Sequence, residues 1–208
     1  MKAIILSGLS FILLMQISCA QQQTKSSKIV GGGCDGCEIM FTNMPKQINA
    51  VDTSYGWHNK GEKMKVEGTV YKKDGKTPAA DIIVYYWQTN ADGLYAKSST
   101  EQTIHGAIRG WMKTGADGKY TLYTIKPASY PNSTIPQHIH IVIKEPNINE
   151  YYIDDIYFEG DPFLKKAERS RLPLRCGNGI VTVTAKDGLL YCRRDIVLGK
   201  NIPDYLEK

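Results

Sequence analysis

His138 and His140 flank Ile139. In a strand, successive side chains point to opposite faces, so the two imidazoles project together while Ile139 turns the other way. The β-branched run Ile141-Val142-Ile143 extends the strand, and Pro136, which cannot donate to a ladder, suits its start. Two histidines at this spacing also occur on plain solvated strand faces, and alone they leave the metal and the surface readings level. Their surroundings favour the metal. Tyr130 stands eight residues before His138, in a turn bounded by Pro127 and Pro131, and Tyr95 ends the stretch that begins at Trp87-Gln88. Zinc prefers thiolate, imidazole and carboxylate, so two phenols and two imidazoles suit it poorly. They suit a hard, oxidised iron, because tyrosinate is an anionic oxygen donor and imidazole is a good iron ligand.

Other short pieces stand in order around these residues, over about residues 60 to 165: Asp92-Gly93-Leu94-Tyr95, Arg109-Gly110, Asp117-Gly118-Lys119-Tyr120, Ile125-Lys126-Pro127 and Tyr157-Phe158-Glu159-Gly160-Asp161. With Trp87-Gln88, Tyr130-Pro131 and His138-Ile139-His140, they make the chain resemble the intradiol ring-cleavage dioxygenases. The resemblance implies Fe(3+) held by Tyr95, Tyr130, His138 and His140. Tyr95 and His138 would be the equatorial ligands, and Tyr130 and His140 the axial ones. It implies a small aromatic ortho-diol and O2 as substrates, and a muconate-type dicarboxylic acid as product. Tyr130, released from the metal, would take a substrate proton. The phenol pKa is about 10, so a freed phenolate is a base. Arg109 is carried over as a second catalytic candidate through its matching Arg-Gly piece. Two positions depart from the family pattern: Ile135 stands where an arginine is usual three residues before the first histidine, and Asp155 where a glutamine is usual. The first departure implies slow or substrate-restricted turnover, with bulkier diols favoured beside an apolar residue. His58 and His105 carry no ligand argument, although His105 falls between two motif pieces and is placed to line a pocket.

The elements that must position this set are strands. Lys65 to Tyr71 alternates, Asp81 to Trp87 is richer in apolar residues, and further strands are predicted at Lys119–Ile125, at Gln137–Lys144 and in two arms between Ile180 and Leu198. Asp-Gly pairs punctuate them. Only Phe163 to Arg171 has a helical look. The expected fold is all-β, a two-sheet antiparallel β-sandwich with long loops carrying the metal site. Competing function classes are a transthyretin-like binding module, which has no use for the Tyr and His set, and a zinc hydrolase, for which no third histidine or carboxylate lies at short spacing.

The 208 residues, 42% hydrophobic and 23% charged, suffice for one domain with a core. A net charge of +5, spread among acidic residues, speaks against a nucleic-acid partner and leaves the oligomeric state open. Residues 1–18 read as a signal peptide, a basic start followed by a short apolar run. Ser18-Cys19 resembles a lipoprotein cleavage site, though Gln16 departs from its pattern. Residues 19–33 then read as a lipidated cysteine and flexible tether, and residues 34–208 as the domain. The expectation is an exported, membrane-anchored lipoprotein touching the membrane only through Cys19, with plain secretion or a periplasmic location as the alternative. In an oxidising compartment the four remaining cysteines are expected to pair as Cys34–Cys37 and Cys176–Cys192, the second across a hairpin at Lys186-Asp187-Gly188. Mass measurement of the mature N-terminus checks the anchor: lipid on Cys19 is the expected result, and an unmodified chain beginning after Cys19 would remove the anchor while leaving export.

Overall fold

The computed structural model describes residues 29–100 and 102–205. The signal-peptide and Cys19 expectations lie outside these residues. Among the described residues the chain runs through β1 (Val51–Thr53), β2 (Lys63–Tyr71), β3 (Ile83–Gln88), β4 (Arg109–Lys113), β5 (Lys119–Ile125), β6 (His138–Lys144), β7 (Tyr151–Tyr152), β8 (Ile156–Phe158), α1 (Lys166–Arg171), β9 (Ile180–Val181), β10 (Thr184–Lys186), β11 (Leu189–Arg193) and β12 (Ile196–Val197). The expected strands are all present, and α1 falls inside the stretch that looked helical. One sheet has the order β1-β5-β2-β11-β10, with β12 also on β2; the other has the order β4-β3-β6-β8-β9, with β7 also on β6.

The sheets are mixed rather than antiparallel. β1 runs parallel to β5, β11 and β12 run parallel to β2, and β9 runs parallel to β8. Parallel neighbours need a crossover rather than a tight turn, and the long connection that contains α1 supplies one between β8 and β9.

Period-two alternation divides each strand between two faces. Met64, Val66 and Val70 of β2 meet Val84, Tyr86, Ile139, Ile141 and Ile143 of the other sheet in the apolar core. Burying each Val or Ile there contributes about 1.5–3 kcal/mol. The opposite face of the second sheet carries Tyr85, Trp87 and Val142, covered by Cys37 and Met40 of the 3-10 turn Cys37–Phe41. That outer face is where the functional residues emerge.

The tether expected to run to residue 33 is docked at its described end. Val30 is buried and exchanges hydrogen bonds with the Asn149 side chain at 3.0 and 2.9 Å, and the Gly31 amide donates to the Pro203 carbonyl at 2.8 Å. Packing and amide pairing outweigh the freedom of the glycines, so Val30 and Gly31 are part of the packed domain.

The Cys176–Cys192 pairing is corrected: both thiols are free and buried. The antiparallel hairpin predicted at Asp187-Gly188 does form, but only from β10 and β11. Cys176 precedes β9, which belongs to the other sheet, so the segment between the cysteines changes sheets instead of folding back on itself. Buried Arg194 holds this crossing, donating to the carbonyls of Arg175, Cys176, Gly177 and Asp195. Cys34 and Cys37 do lie together, with Cα atoms 5.5 Å apart, a spacing a disulfide spans. Burial pushes both remaining thiols up to about 12, so they stay protonated and inert at neutral pH. Alkylation without reductant is therefore expected to label Cys176 and Cys192 only after unfolding, and a peptide linking the two would contradict the structure.

Candidate metal centre

β6 delivers His138 and His140 to the outer face and buries Ile139 in the core, as alternation requires. Their Nε2 atoms are 3.0 Å apart. The Nδ1 of His138 lies 2.7 Å from the Pro136 carbonyl and that of His140 lies 3.2 Å from an Asp155 carboxylate oxygen. Both partners accept, so each Nδ1 carries a proton, and in a neutral ring that leaves the Nε2 lone pair free to bind a metal. The two Nε2 atoms therefore face each other.

The phenols close the set. Tyr95 Oη lies 2.5 Å from Tyr130 Oη and 3.1 Å from His140 Nε2; Tyr130 Oη lies 3.3 Å from His138 Nε2 and 3.4 Å from His140 Nε2. Bonds of about 2.0–2.2 Å to a shared ion would put neighbouring donors about 3 Å apart, so these atoms have the spacing of a coordination shell. The four residues predicted from the sequence are thus brought to one point. The turn before Tyr95 allows this: Gly93 has a φ of +77° and lies against the Ser129 carbonyl, where any Cβ would collide. Burial, then the Tyr130 hydrogen bond, pushes the Tyr95 phenol well above its ordinary value, and burial raises Tyr130. A highly charged cation at this point would reverse both shifts. Burial, then the field of His140, lowers His138 and keeps it neutral, as a ligand must be.

Surrounding residues fix the imidazoles. β6 pairs with β8 so that His138 faces Tyr157 and Ile139 faces Ile156, which sets Asp155 opposite His140. Asp155, noted in the sequence only as a departure, is the group that orients His140. Its two-residue spacing before Tyr157 was a signal, but only the register reveals its partner. His138, His140 and Asp155 form a cluster with metal-binding spacing. Asp155 contacts the Nδ1 side of His140, however, away from the Nε2 that meets the phenols, so it acts as an orienting group rather than a ligand of that same point. Trp87, cross-strand neighbour of His140, stacks on it at 4.5 Å between ring centroids, and His105 also stacks on Trp87, at 3.9 Å.

Arg109 is not at the cluster. It sits beside Trp87 on β4, where its guanidinium donates to the carbonyls of Ile39 and Thr42 and to Tyr85 Oη, at 3.2, 2.8 and 3.2 Å. These bonds fasten the 37–42 segment over the outer face. The adjoining Gly110 has its own reason: a Cβ there would meet the Asp52 carboxylate, which accepts from Tyr86 Oη. His58 is exposed and apart, and Ile135 is exposed at 48%. His105 does line a cleft, of about 430 Å³, with Tyr95, His140 and Tyr152; a second cleft of about 410 Å³ joins His140 to Asp155, Tyr157 and Arg175.

Residues 39–170, more than half of the chain, match the dioxygenase family pattern. Similar proteins include the protocatechuate 3,4-dioxygenase beta chain of Burkholderia cepacia, 34% identical over 50% of this chain and 48% of its own length. The 6-chlorohydroxyquinol 1,2-dioxygenase of Cupriavidus pinatubonensis is 30% identical over 58% of this chain and 48% of its own length. The chain thus spans about half the length of these relatives. Among solved structures, the dioxygenase domain of a dioxygenase–carbohydrate-binding fusion from Streptomyces sp. SirexAA-E superposes with a TM-score of 0.55 at 26% identity, over 76% of this chain and 90% of that one. Catechol 1,2-dioxygenase from Pseudomonas arvilla shares the fold, with a TM-score of 0.57 at 20% identity over 72% of this chain and 56% of that one. With the family pattern matched across the strands that carry the Tyr and His cluster, the chain belongs to the intradiol ring-cleavage dioxygenase family.

Proposed function

We propose that the protein binds one ferric ion through Tyr95, Tyr130, His138 and His140 and cleaves an aromatic ortho-diol between its two hydroxyl-bearing carbons, with O2 as oxidant and a muconate-type dicarboxylic acid as product. The observation that carries this is the meeting of two imidazole lone pairs and two phenol oxygens at one point. Ferric iron bound there would supply Lewis acidity, which favours the ionised diol and opens its ring carbon to dioxygen.

The remaining steps belong to the chain's own groups. Tyr130 lies in the irregular segment between β5 and β6, where a phenol can swing without breaking a ladder. Once released in this partly buried setting, its phenolate has a raised proton affinity, and it takes a proton from an incoming hydroxyl. Tyr95 stays, seated beside the tight Gly93–Ser129 contact. Asp155 and Trp87 hold the His140 ring from its edge and its face, and the Pro136 carbonyl holds His138, so the two imidazoles keep their aim while the diol enters. Aromatic walls from Trp87 and Tyr152 keep bulk water off one side of the ring.

Purified protein loaded with ferric iron is expected to be coloured, through charge transfer from tyrosinate, with one iron per chain. Tyr95→Phe should weaken or shift the visible band, and His138→Ala should abolish iron binding. Asp155→Asn should lower metal affinity about 10- to 100-fold, the usual cost of losing a group that orients a ligand. A colourless protein that takes up zinc stoichiometrically but no iron would refute the assignment.

Ring cleavage itself is checked with isotopic dioxygen, both atoms of which should appear in the ring-opened diacid. Ile135 supplies no charge where the family pattern has arginine, and one missing preorganised charge commonly costs about 10²–10³ in rate. Slow turnover of simple catechols is therefore expected, with Ile135→Arg raising it. If the iron protein binds catechols, by a shift of its band, yet consumes no substituted diol, it is a catechol-binding protein and not an enzyme.

A further inference from the structure

Asp155 backs His140 directly, and the hydrogen bonds behind His138 end on a second carboxylate. The Nδ1 of His138 donates to the Pro136 carbonyl at 2.7 Å. That carbonyl belongs to the same peptide unit as the Gln137 amide, which donates to Asp161 Oδ2 at 2.8 Å. Asp161 Oδ1 accepts from the Phe163 amide at 2.7 Å. One carboxylate thus grips both the segment entering β6 and the crossover that follows β8.

The chain is shaped to bring Asp161 there. β6 and β8 run antiparallel with His138 opposite Tyr157, and β8 ends at Phe158. A turn follows at once: the Asp161 amide donates to the Phe158 carbonyl at 3.2 Å, and Gly160 takes the left-handed position in it, with a φ of +86°. The Tyr157-Phe158-Glu159-Gly160-Asp161 piece therefore ends on the residue that meets the start of β6. In a trans peptide unit the N–H and C=O lie in one plane and point in opposite directions, so anchoring the Gln137 N–H sets the direction of the Pro136 carbonyl. An anionic acceptor on that N–H also polarises the unit and makes its carbonyl a stronger acceptor, because linked hydrogen bonds reinforce one another away from water. Pro136 and His138 are both buried, which preserves the reinforcement.

We propose that Asp161 is a positioning residue, which acts through the Pro136–Gln137 peptide to fix the direction of the His138 ring and to strengthen its Nε2 as a donor to the metal. The two candidate imidazole ligands are then each backed by a carboxylate, His140 directly by Asp155 and His138 through one peptide by Asp161. This role rests on the metal-binding reading given above.

NMR of the imidazole nitrogens in the iron-free protein follows each ring separately, and competition with a chelator measures ferric affinity. Asp161→Ala should move the His138 signals, leave those of His140 in place and weaken ferric binding about 10-fold, the low end of what losing such a partner costs. Asp161→Asn, which keeps the shape and one accepting oxygen but not the charge, should give a smaller change of the same kind, and it decides the matter if the alanine variant does not fold. Asp74 serves as the control, since it too accepts two backbone amides, those of Lys76 and Thr77, in the turn after β2. Asp74→Ala should leave both imidazoles and the iron affinity unchanged. His138 signals that stay in place in the Asp161 variants, or that move no further than those of His140 or than in Asp74→Ala, overturn the role of Asp161 while leaving the four-ligand site intact. Failure of the unaltered protein to take up ferric iron overturns the metal-binding reading, and the metal role of Asp161 with it.

Discussion

Two imidazole nitrogens 3.0 Å apart and two phenol oxygens beside them converge on one point, where a bound cation would engage all four. Much of the molecule serves to hold this contact. Central placement of β6, between β3 and β8, removes its freedom to slip. A slip of one residue would send both histidines into the apolar core and Ile139 out of it. The same register puts Trp87 and Asp155 on either side of His140. The Pro136 carbonyl fixes His138 at the point where the strand begins. Both Nδ1 atoms face acceptors, which turns both Nε2 atoms toward the two phenols.

The site lies on the outer face of its sheet because the inner face is fully occupied by the apolar core that joins the two layers. An outer face needs its own cover. It is covered by the segment around Cys34 and Cys37, with Met40 packed on Tyr85 and Trp87. Arg109 fastens that segment through two backbone carbonyls, and the Trp111 indole N–H donates to the Met40 carbonyl at 2.7 Å. Buried arginine is costly unless its donors are engaged, and these bonds engage them. The second wall comes from the crossover between β8 and β9, which brings Leu172, Pro173 and Arg175 to the cleft beside His140. Its far end is anchored by Arg194 on a row of carbonyls.

What could be read from the chain alone was whatever depends on local periodicity and donor chemistry. Alternation across His138-Ile139-His140 puts both imidazoles on one face in any strand, and two tyrosines among the same pieces set the expectation for the kind of metal. Strand positions followed from the same alternation, and turns from the Asp-Gly pairs. The parallel neighbours, the role of Arg109, the free state of Cys176 and Cys192 and the docking of Val30 were not legible, because each depends on where a distant segment lies. Chain spacing suggested that Cys176 and Cys192 bracket a hairpin; the sheets divide that stretch between them, and no local signal marks the change. Asp155 and His105 were visible as residues but not as partners. Strand register pairs the first with His140, and the second reaches Trp87 from a loop eighteen residues further along the chain. The candidate ligand set thus belongs to the sequence, since it is chosen by side-chain chemistry. Ligand orientation and the cleft walls belong to the tertiary structure, since they are made of contacts between segments that only the folded sheets bring together.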